Sequence, residues 1–429
     1  MDQPVSNSSM ATGQRSDLTP RVLWTLAIIG IFFGFNLVDR GLLSLNVDPI
    51  KHELHASDTE MSLATGIAYF LFNGIAAVPI ARFADRHSRR YVLGIGFGFY
   101  SLVMGLTGFV SNFAQLLVAR VVLGVGEASV AGSSPLINDL VKPQNRRKAL
   151  AGMRVFSSIV VMGMMAGLGH VSEIYGWRAS FLVLAVPAAV LVPLMLYTVY
   201  EPPHELSRGG AAPPKVTLRQ TLASWRRSPA FLFVLLGFAL SGVTLQANGA
   251  WAGAFMARVR GMSPSEIGTL SGIARGPALL AGSIFAGWIT DRLARRDHRW
   301  RFWVPGIMLM IGTPCEFLYL NLPSHLWMWA YVLTGSLIMG SQACAMALMM
   351  DVSGPGARAT GLAFGLLVMS LLADFMGPTS IGVMNDTIFK SLGPEALRYS
   401  MAIVACSAAV GGALMVYAAR FETEATRSG

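Results

Sequence analysis

The chain has 429 residues, of which 53% are apolar and only 13% are charged, and its formal net charge is +10. A soluble globular domain carries roughly twice that charged fraction, so this composition excludes one and predicts a protein that crosses a membrane repeatedly. The three cysteines, Cys315, Cys344 and Cys406, fall in apolar segments without paired spacing. Neither a disulfide framework nor a metal site is therefore expected.

Twelve apolar runs are each long enough to cross the roughly 30 Å hydrocarbon core as a helix, which takes about 20 residues. In chain order they are Val22–Leu45, Met61–Pro79, Val92–Val110, Phe113–Ile137, Ala149–Val171, Ser180–Tyr200, Ala230–Ala254, Ile267–Ile289, Phe302–Leu322, Leu326–Met350, Gly361–Met384 and Ser400–Ala419. We number these predicted spans from one to twelve. The sequence thus predicts an all-α membrane protein with twelve transmembrane helices.

A polar stretch rich in Pro, Gly and basic residues, 201–227, separates the first six spans from the last six. It predicts a linker between two six-helix bundles, 22–200 and 228–420, with short tails at 1–21 and 421–429. With both termini inside, 23 of the 33 Lys and Arg lie in inner loops and tails. This asymmetry predicts cytoplasmic termini in a plasma (inner) membrane. It also accounts for the net charge, so no nucleic-acid partner is expected.

Two charged patterns occur once in each half. D-R-x-x-R-R begins at Asp85 and again 206 residues later, and D-x-x-x-P-x-x-R begins at Asp139 and again 212 residues later. Two repeated motifs with nearly the same spacing between their copies indicate a duplicated six-helix unit. Basic inner loops alone would supply the arginines but not the matched aspartates. We expect the following residues to form a latch at the cytoplasmic surface: Asp85, Arg86, Arg89, Arg90, Asp139 and Arg146, with Asp291, Arg292, Asp351 and Arg358.

The fourth span contains a cation and an acid inside an otherwise apolar helix. Arg120 and Glu127 are two turns apart on nearly the same face, with Gly124 and Gly126 close to them. Charges are costly in hydrocarbon, so such residues face a bundle interior or a wet cavity and indicate a functional site. The alternative is a structural ion pair that joins helices. The two glycines favour the functional interpretation, because they leave backbone room that a structural pair would not need.

The repeated D-R-x-x-R-R loop in a six-plus-six layout resembles the major facilitator superfamily, although Ala81 and Ser88 stand where that family usually has Gly. Within it, the chain is similar to the Spinster branch of proton-linked carriers of lysophospholipids and sphingosine phosphate. The stretches that carry this likeness are Val38-Asp39-Arg40, Arg120 with Gly124 to Ser129, Tyr200-Glu201-Pro202-Pro203, Ala373-Asp374 with Gly377-Pro378, and Asn385-Asp386. The resemblance implies two pseudo-symmetric bundles that work by alternating access. The fifth span lacks the Gly-Pro pair typical of the superfamily's drug antiporters.

Asp39 is our candidate for the main proton carrier, with Glu127 as the second and Arg120 as the coupling cation. Burial favours a neutral carboxyl, whereas a nearby arginine favours the carboxylate. An anion that occupies Arg120 would therefore free the acid to take up a proton. Alternatively, Asp39 merely pairs with Arg40, which is less favoured because adjacent helical residues point about 100° apart.

Substrate contacts are expected from both halves: Asn36, Arg120 and Arg154 in the first, and Gln246, Asn248, Trp251, Arg275 and Asp374 in the second. Arg154 either receives an anionic headgroup or extends to the cytoplasmic surface. Glu316, near the outer end of the ninth span, fits an interfacial position. The first half is basic, and the second half that faces it is apolar and aromatic. This arrangement predicts that the substrate is an amphipathic anion with a long tail. Ordinary packing of the aromatic residues is the alternative.

No enzymatic motif or P-loop is present, so we expect neither catalysis nor a cofactor. Energy then comes from an ion gradient, and isolated carboxylates beside an arginine favour protons over Na⁺. The sequence predicts a monomeric, proton-coupled lipid transporter. The alternatives are an organic-anion symporter or a multidrug exporter of the same superfamily and, more remotely, a non-transporting receptor or scaffold.

Overall fold

The computed structural model describes residues 19–84, 86–129, 136–137, 140–142, 144–201, 224–323, 325–354 and 356–421. Ten helices in this part of the chain are long and apolar enough to cross a membrane. One of them bends at Gly176, where φ is 82° and ψ is 168°, and therefore contains both the fifth and the sixth span. With the shorter helix of the fourth span, the all-α, twelve-span architecture predicted from the sequence is confirmed.

The spans begin and end as follows: Pro20–Leu45 (first), Asp58–Thr65 with Ile67–Ala84 (second), Arg89–Thr107 (third), Phe113–Glu127 (fourth), Arg146–Thr198 (fifth and sixth), Pro229–Arg258 (seventh), Pro264–Thr269 with Leu270–Arg275 and Gly276–Ala294 (eighth), Trp300–Asn321 (ninth), Leu326–Val352 (tenth), Arg358–Asp386 (eleventh) and Ala396–Ala418 (twelfth). A short helix, Val47–Glu53, follows the first span, and 3-10 turns occupy Lys390–Glu395 and Ala419–Phe421.

The second and eighth spans begin in the same way. Each starts with a capping box, Ser57 with Glu60 and Ser263 with Glu266, 206 residues apart. The serine side chain accepts from the N3 backbone N–H, and the glutamate accepts from the N-cap N–H. Each span is then interrupted near its start, the second at Gly66 and the eighth by a π-helical turn. The pseudo-symmetry of the two halves therefore extends to the local geometry of matched spans.

We call spans one to six the first half and spans seven to twelve the second half. The side of the molecule that carries Pro20 and Phe421 is the terminal side, and the side that carries the Val47–Glu53 helix is the opposite side. Close backbone contacts join the halves on the opposite side. A Cβ added to Gly253 would lie 2.5 Å from the Ser44 carbonyl oxygen, and one added to Gly169 would lie 2.5 Å from that of Pro264. The structure is therefore closed on this side.

Candidate functional site

A buried ion pair joins the first and fourth spans. Arg120 donates from Nη1 to Oδ2 of Asp39 at 3.0 Å, and the two residues are 1% and 0% exposed. Within the described chain, the other Asp39 oxygen and the Arg120 Nε and Nη2 atoms have no hydrogen-bond partner. Asp39 thus pairs with Arg120 rather than with its neighbour Arg40. Free acceptor and donor atoms remain on both members of the pair.

A second ion pair lies beside the first. Arg40 donates from Nη2 to both Glu127 oxygens, at 2.7 and 3.0 Å, and its guanidinium lies 4.7 Å from the Phe70 ring centroid. Tyr69 also donates its hydroxyl to Glu127, and Asn73 approaches the same oxygen at 3.4 Å. The Arg40 side chain is 38% exposed, against 12% for Glu127. Sequence reasoning did not assign Arg40 a role, although its position beside Asp39 was a usable signal.

The glycines of the fourth span serve helix packing. A Cβ added to Gly124 would overlap the Tyr69 carbonyl oxygen of the second span, and one added to Gly126 would lie 3.3 Å from Tyr100. The backbone room at these glycines is therefore filled by neighbouring helices, so it does not distinguish a functional site from a structural ion pair, and the functional interpretation stays a prediction. The close approach has a functional consequence, because it brings Tyr69 within reach of Glu127.

The second half adds a third carboxylate to this region. Asp374 of the eleventh span is 4% exposed and accepts hydrogen bonds from Gln246 and Ser370. It also interacts electrostatically with Arg40 across the interface between the halves. A cavity of about 70 Å³ lies there, lined by residues that include Asp39, Arg40, Arg120, Gln246 and Pro378. The predicted site residues Asp39, Arg120 and Gln246 therefore meet at one cavity.

Other predicted substrate contacts are occupied elsewhere. Asn36 donates to the Phe32 carbonyl one turn earlier, and Asn248 donates likewise to Thr244. Trp251 is 1% exposed and donates its indole N–H to the Pro378 carbonyl at 3.0 Å. These three side chains are packed between helices. Arg154 is exposed on the fifth span.

Arg275 lies in the second half, at the end of the π-helical turn of the eighth span. Its Nη1 donates to the Tyr331 hydroxyl at 2.5 Å, and its guanidinium lies 4.3 Å from the centre of that ring. Glu316 of the ninth span, which the sequence placed at an interface, is only 1% exposed. The interfacial assignment of Glu316 was wrong, because its helix turns the carboxyl into the bundle.

The expected latch has partners within each half on the terminal side. The carboxylate of Glu201 accepts from the Arg89 backbone N–H at 2.7 Å, from that of Arg90 at 3.3 Å and from the Ser88 hydroxyl, and so caps the third span. In the second half, Arg301 pairs with Asp351 at 3.1 Å. Arg146 donates to the Val141 carbonyl at 3.3 Å, and the following members are exposed: Arg86, Asp291, Arg292 and Arg358. Asp85 and Asp139 lie outside the described residues. The latch stays a prediction.

A charged network joins the halves on the opposite side. Arg258 donates from Nε to Asp48 at 2.5 Å, and from Nη1 and Nη2 to Asp58 at 2.7 and 2.9 Å. Asn385 also donates to Asp58 at 2.9 Å, and Lys51 lies 2.6 Å from the same carboxylate. Burial raises the pKa of the Asp48 carboxyl, although Arg258 opposes this shift. The network bridges the seventh and eleventh spans to the start of the second.

Asp386 strengthens the same closure. Its carboxylate accepts from the backbone N–H of Thr59 at 2.7 Å and from that of Asp58 at 3.3 Å. An acid of the eleventh span thus caps the first turn of the second span, where a negative charge is stabilised by the helix dipole. The sequence showed Asn385-Asp386 only as part of a resemblance, since a contact between distant segments leaves no local signal.

Comparison with known proteins gives one family and several relatives within it. A sequence model of the Major Facilitator Superfamily matches residues 26–378. An MFS-type efflux pump of Mycolicibacterium smegmatis is 28% identical over 409 residues, which are 93% of each chain. Protein spinster homolog 1 of Xenopus tropicalis is 26% identical over 432 residues, covering 92% of this chain and 81% of that one.

Among solved structures, the fold is similar to that of a bacterial homolog of the human lysosomal transporter Spinster, in its inward-facing and unoccupied conformation. The TM-score is 0.81 at 22% identity, over 94% of this chain and 98% of that chain. These matches confirm the resemblance to the Spinster branch that the sequence indicated. They also agree with an architecture of two six-helix halves.

Proposed function

The chain belongs to the Major Facilitator Superfamily and is a transporter rather than an enzyme, and we propose that it moves an amphipathic anionic lipid by proton-coupled alternating access. A lysophospholipid or a sphingosine-phosphate-like molecule has the required anionic head and apolar tail. The observation that carries this proposal is the Asp39–Arg120 pair, buried at a cavity between the halves. It combines an exchangeable carboxylate with a cation that an anionic headgroup can occupy.

The coupling follows from competition for Arg120. While Arg120 holds Asp39, the carboxylate is stabilised in its charged form. A phosphate that takes up the free Nε and Nη2 donors of Arg120 weakens its hold on Asp39, which then binds a proton from water. Release of the phosphate reverses both steps, and the proton leaves with the restoration of the ion pair. Substrate and proton are thereby linked through one guanidinium.

Arg40 is the first cation that an entering headgroup meets. It is the more exposed member of its pair with Glu127, and it interacts with Asp374 of the other half. A headgroup that draws Arg40 away from Glu127 would leave that acid to bind a second proton. Since Arg40 pairs with Glu127 of the first half and interacts electrostatically with Asp374 of the second, such a movement also couples substrate binding to the interface.

The closed opposite side indicates a conformation open toward the terminal side, as alternating access requires of one of its two end states. The excess of basic residues on the terminal side supports a cytoplasmic location for it in a plasma (inner) membrane. We further propose that residues 22–200 and 228–420 move as two units in a monomer. The charged terminal-side loops would latch the alternative state.

The lipid cargo rests on the amphipathic character of the site and on similarity to Spinster proteins. Two other substrates deserve a direct test. A soluble organic anion would satisfy Arg40 and Arg120 equally well. Similarity to an MFS-type efflux pump supports outward movement, which a multidrug exporter would also carry out.

The proposal is tested with purified protein in liposomes under an imposed pH gradient. We expect accumulation of headgroup-labelled lysophospholipid that collapses when the pH gradient is dissipated. Arg120→Gln should abolish accumulation, whereas Arg296→Gln, which removes an exposed arginine after the eighth span, should retain it. Gradient-driven uptake of an organic acid or a cationic drug without lysophospholipid movement would overturn the lipid assignment. Lysophospholipid movement indifferent to the pH gradient would overturn the coupling.

A further inference from the structure

A second polar cluster lies within the second half, away from the Asp39–Arg120 pair. Its centre is Glu316 of the ninth span, which is 1% exposed and has no hydrogen-bond partner of normal geometry for either carboxyl oxygen in the described part of the chain. Arg275 of the eighth span and Asn248 of the seventh face it. Tyr319, one turn further along the ninth span, also has an unpartnered hydroxyl.

The nearby cation is engaged elsewhere in this conformation. Arg275 donates to the Tyr331 hydroxyl and stacks on its ring, and the Tyr331 ring in turn lies 5.0 Å from that of Tyr319. The Arg275 Nε atom has no partner among the described residues. Next to it, Gly335 of the tenth span lets the Arg275 side chain pack closely, since an added Cβ there would lie 3.0 Å from that Nε atom. Arg275 therefore keeps a free donor while its guanidinium is held at Tyr331.

Arg275 is the cation that acts on Glu316, and the other charged groups among the described neighbours are engaged elsewhere. The twelfth span packs on the ninth through uncharged positions such as Ala405 and Gly412. Arg260 and Arg398 lie at the end of the ninth span, where both donate to backbone carbonyls of residues 319–322. Cys315 and Tyr319 are the neighbouring titratable side chains on the ninth span. A bare carboxylate in such a site is strongly disfavoured by its loss of hydration, a cost that the neutral acid largely avoids.

We infer that Glu316 is a further proton-binding site, which holds a proton in this conformation and releases it when Arg275 turns from Tyr331 toward the carboxyl. In that step the O–H bond of Glu316 breaks, the proton passes to water, and the carboxylate formed pairs with the unchanged Arg275 cation. The π-helical turn that ends at Arg275 is a feature frequently found at functional sites. The second half thus carries its own proton, in addition to the proposed acids of the first half.

The proton on Glu316 is measured without any substrate, by pH-dependent infrared difference spectroscopy of the protein in nanodiscs. We expect a protonated-carboxyl C=O band at neutral pH that disappears in Glu316→Gln and persists in Glu395→Gln, which alters a carboxylate that is half exposed. An identical band in wild type and Glu316→Gln would show that Glu316 is ionised and would overturn the inference, as would its absence from wild type.

Tyr331→Phe tests the part played by Arg275 while leaving the carboxyl in place. Without the Tyr331 hydroxyl, Arg275 is free to turn to Glu316, so the band should vanish at a pH lower by about one unit or more. An unchanged titration would contradict the exchange of partners. Transport of a different anion would leave both spectra as expected, so this inference and the lipid proposal fail independently.

Discussion

Arg258 provides the sharpest test of how the opposite side is kept closed. Its guanidinium makes three charged hydrogen bonds to Asp48 and Asp58, and its side chain is 15% exposed, against 17% and 4% for the acids. Arg258→Gln removes the cation and leaves the nearly buried Asp58 carboxylate with weaker partners. Removing one member of a buried ion pair costs about 3–5 kcal/mol, and partial exposure favours the lower figure.

A cost of about 3 kcal/mol corresponds to a shift of roughly 100-fold in the equilibrium between the closed and open opposite side. The shift is measured by double electron–electron resonance between spin labels at Ser111 and His325, which are exposed on the opposite-side loops of the two halves. The exposed Cys406 is first replaced by Ser so that it does not take up label. We expect a new, longer distance to dominate in Arg258→Gln.

Lys51→Met is the matched control. Lys51 contacts the same Asp58 carboxylate at 2.6 Å, but its side chain is 26% exposed, so its loss should cost at most about 1 kcal/mol. The distance distribution should then remain close to that of the wild type. Equal distributions for wild type and Arg258→Gln would refute the assignment of this network as the closure. A shift as large in Lys51→Met would show that any loss of positive charge suffices.

Three further predictions concern the cavity, the interface and the terminal side. Arg40→Gln should reduce lysophospholipid transport at least tenfold, because it removes the exposed cation at the cavity; transport at the wild-type rate would contradict its role. Gly169→Ala should reduce transport similarly, because its Cβ would lie 2.5 Å from a carbonyl oxygen of the eighth span. Gly167→Ala, whose Cβ would have no atom within 4 Å, should not reduce it. Equal transport rates for the two variants would contradict the tight closure. Glu201→Gln should lower the free energy of unfolding by about 1 kcal/mol, because it weakens the cap on the third span. Thermal unfolding in detergent measures this change, and an unchanged unfolding midpoint would contradict the capping role of Glu201.

The span architecture was predictable because it depends on long apolar runs and on where basic residues interrupt them. The echo between Asp85 and Asp291 identified the repeat, and the matched capping boxes at Ser57 and Ser263 extend it. Each of these signals lies within one short segment. In a membrane protein, the number and order of the spans can therefore be predicted from composition and spacing alone.

The pairing of charges could not be obtained in this way. Whether Arg120 meets Asp39 or Glu127 depends on how the first, second and fourth spans are rotated about their axes, and Gly124 fixes one of those contacts by admitting Tyr69. The pattern of one cation and one acid on a helix face indicated buried charges but did not give both partners. Arg120 and Glu127 are each paired with a residue of the first span.

Residues on the opposite side were missed for the same reason. Arg258 lies at the end of an apolar helix, where a basic residue is ordinary, and its partner Asp58 is 200 positions away. Glu316 was misplaced because depth along a helix does not tell which way a side chain faces. Both assignments required the packed arrangement of helices.

The coupling of lipid movement to proton movement through Asp39 is the central claim, and one flux measurement tests it directly. Protein is reconstituted in liposomes that contain a pH-sensitive dye, and lysophospholipid is added to wild type, Asp39→Asn and the exposed-loop control Asp297→Asn. The account predicts proton movement upon lipid addition in wild type and in Asp297→Asn, and none in Asp39→Asn. Lipid-driven proton flux that persists in Asp39→Asn would contradict it.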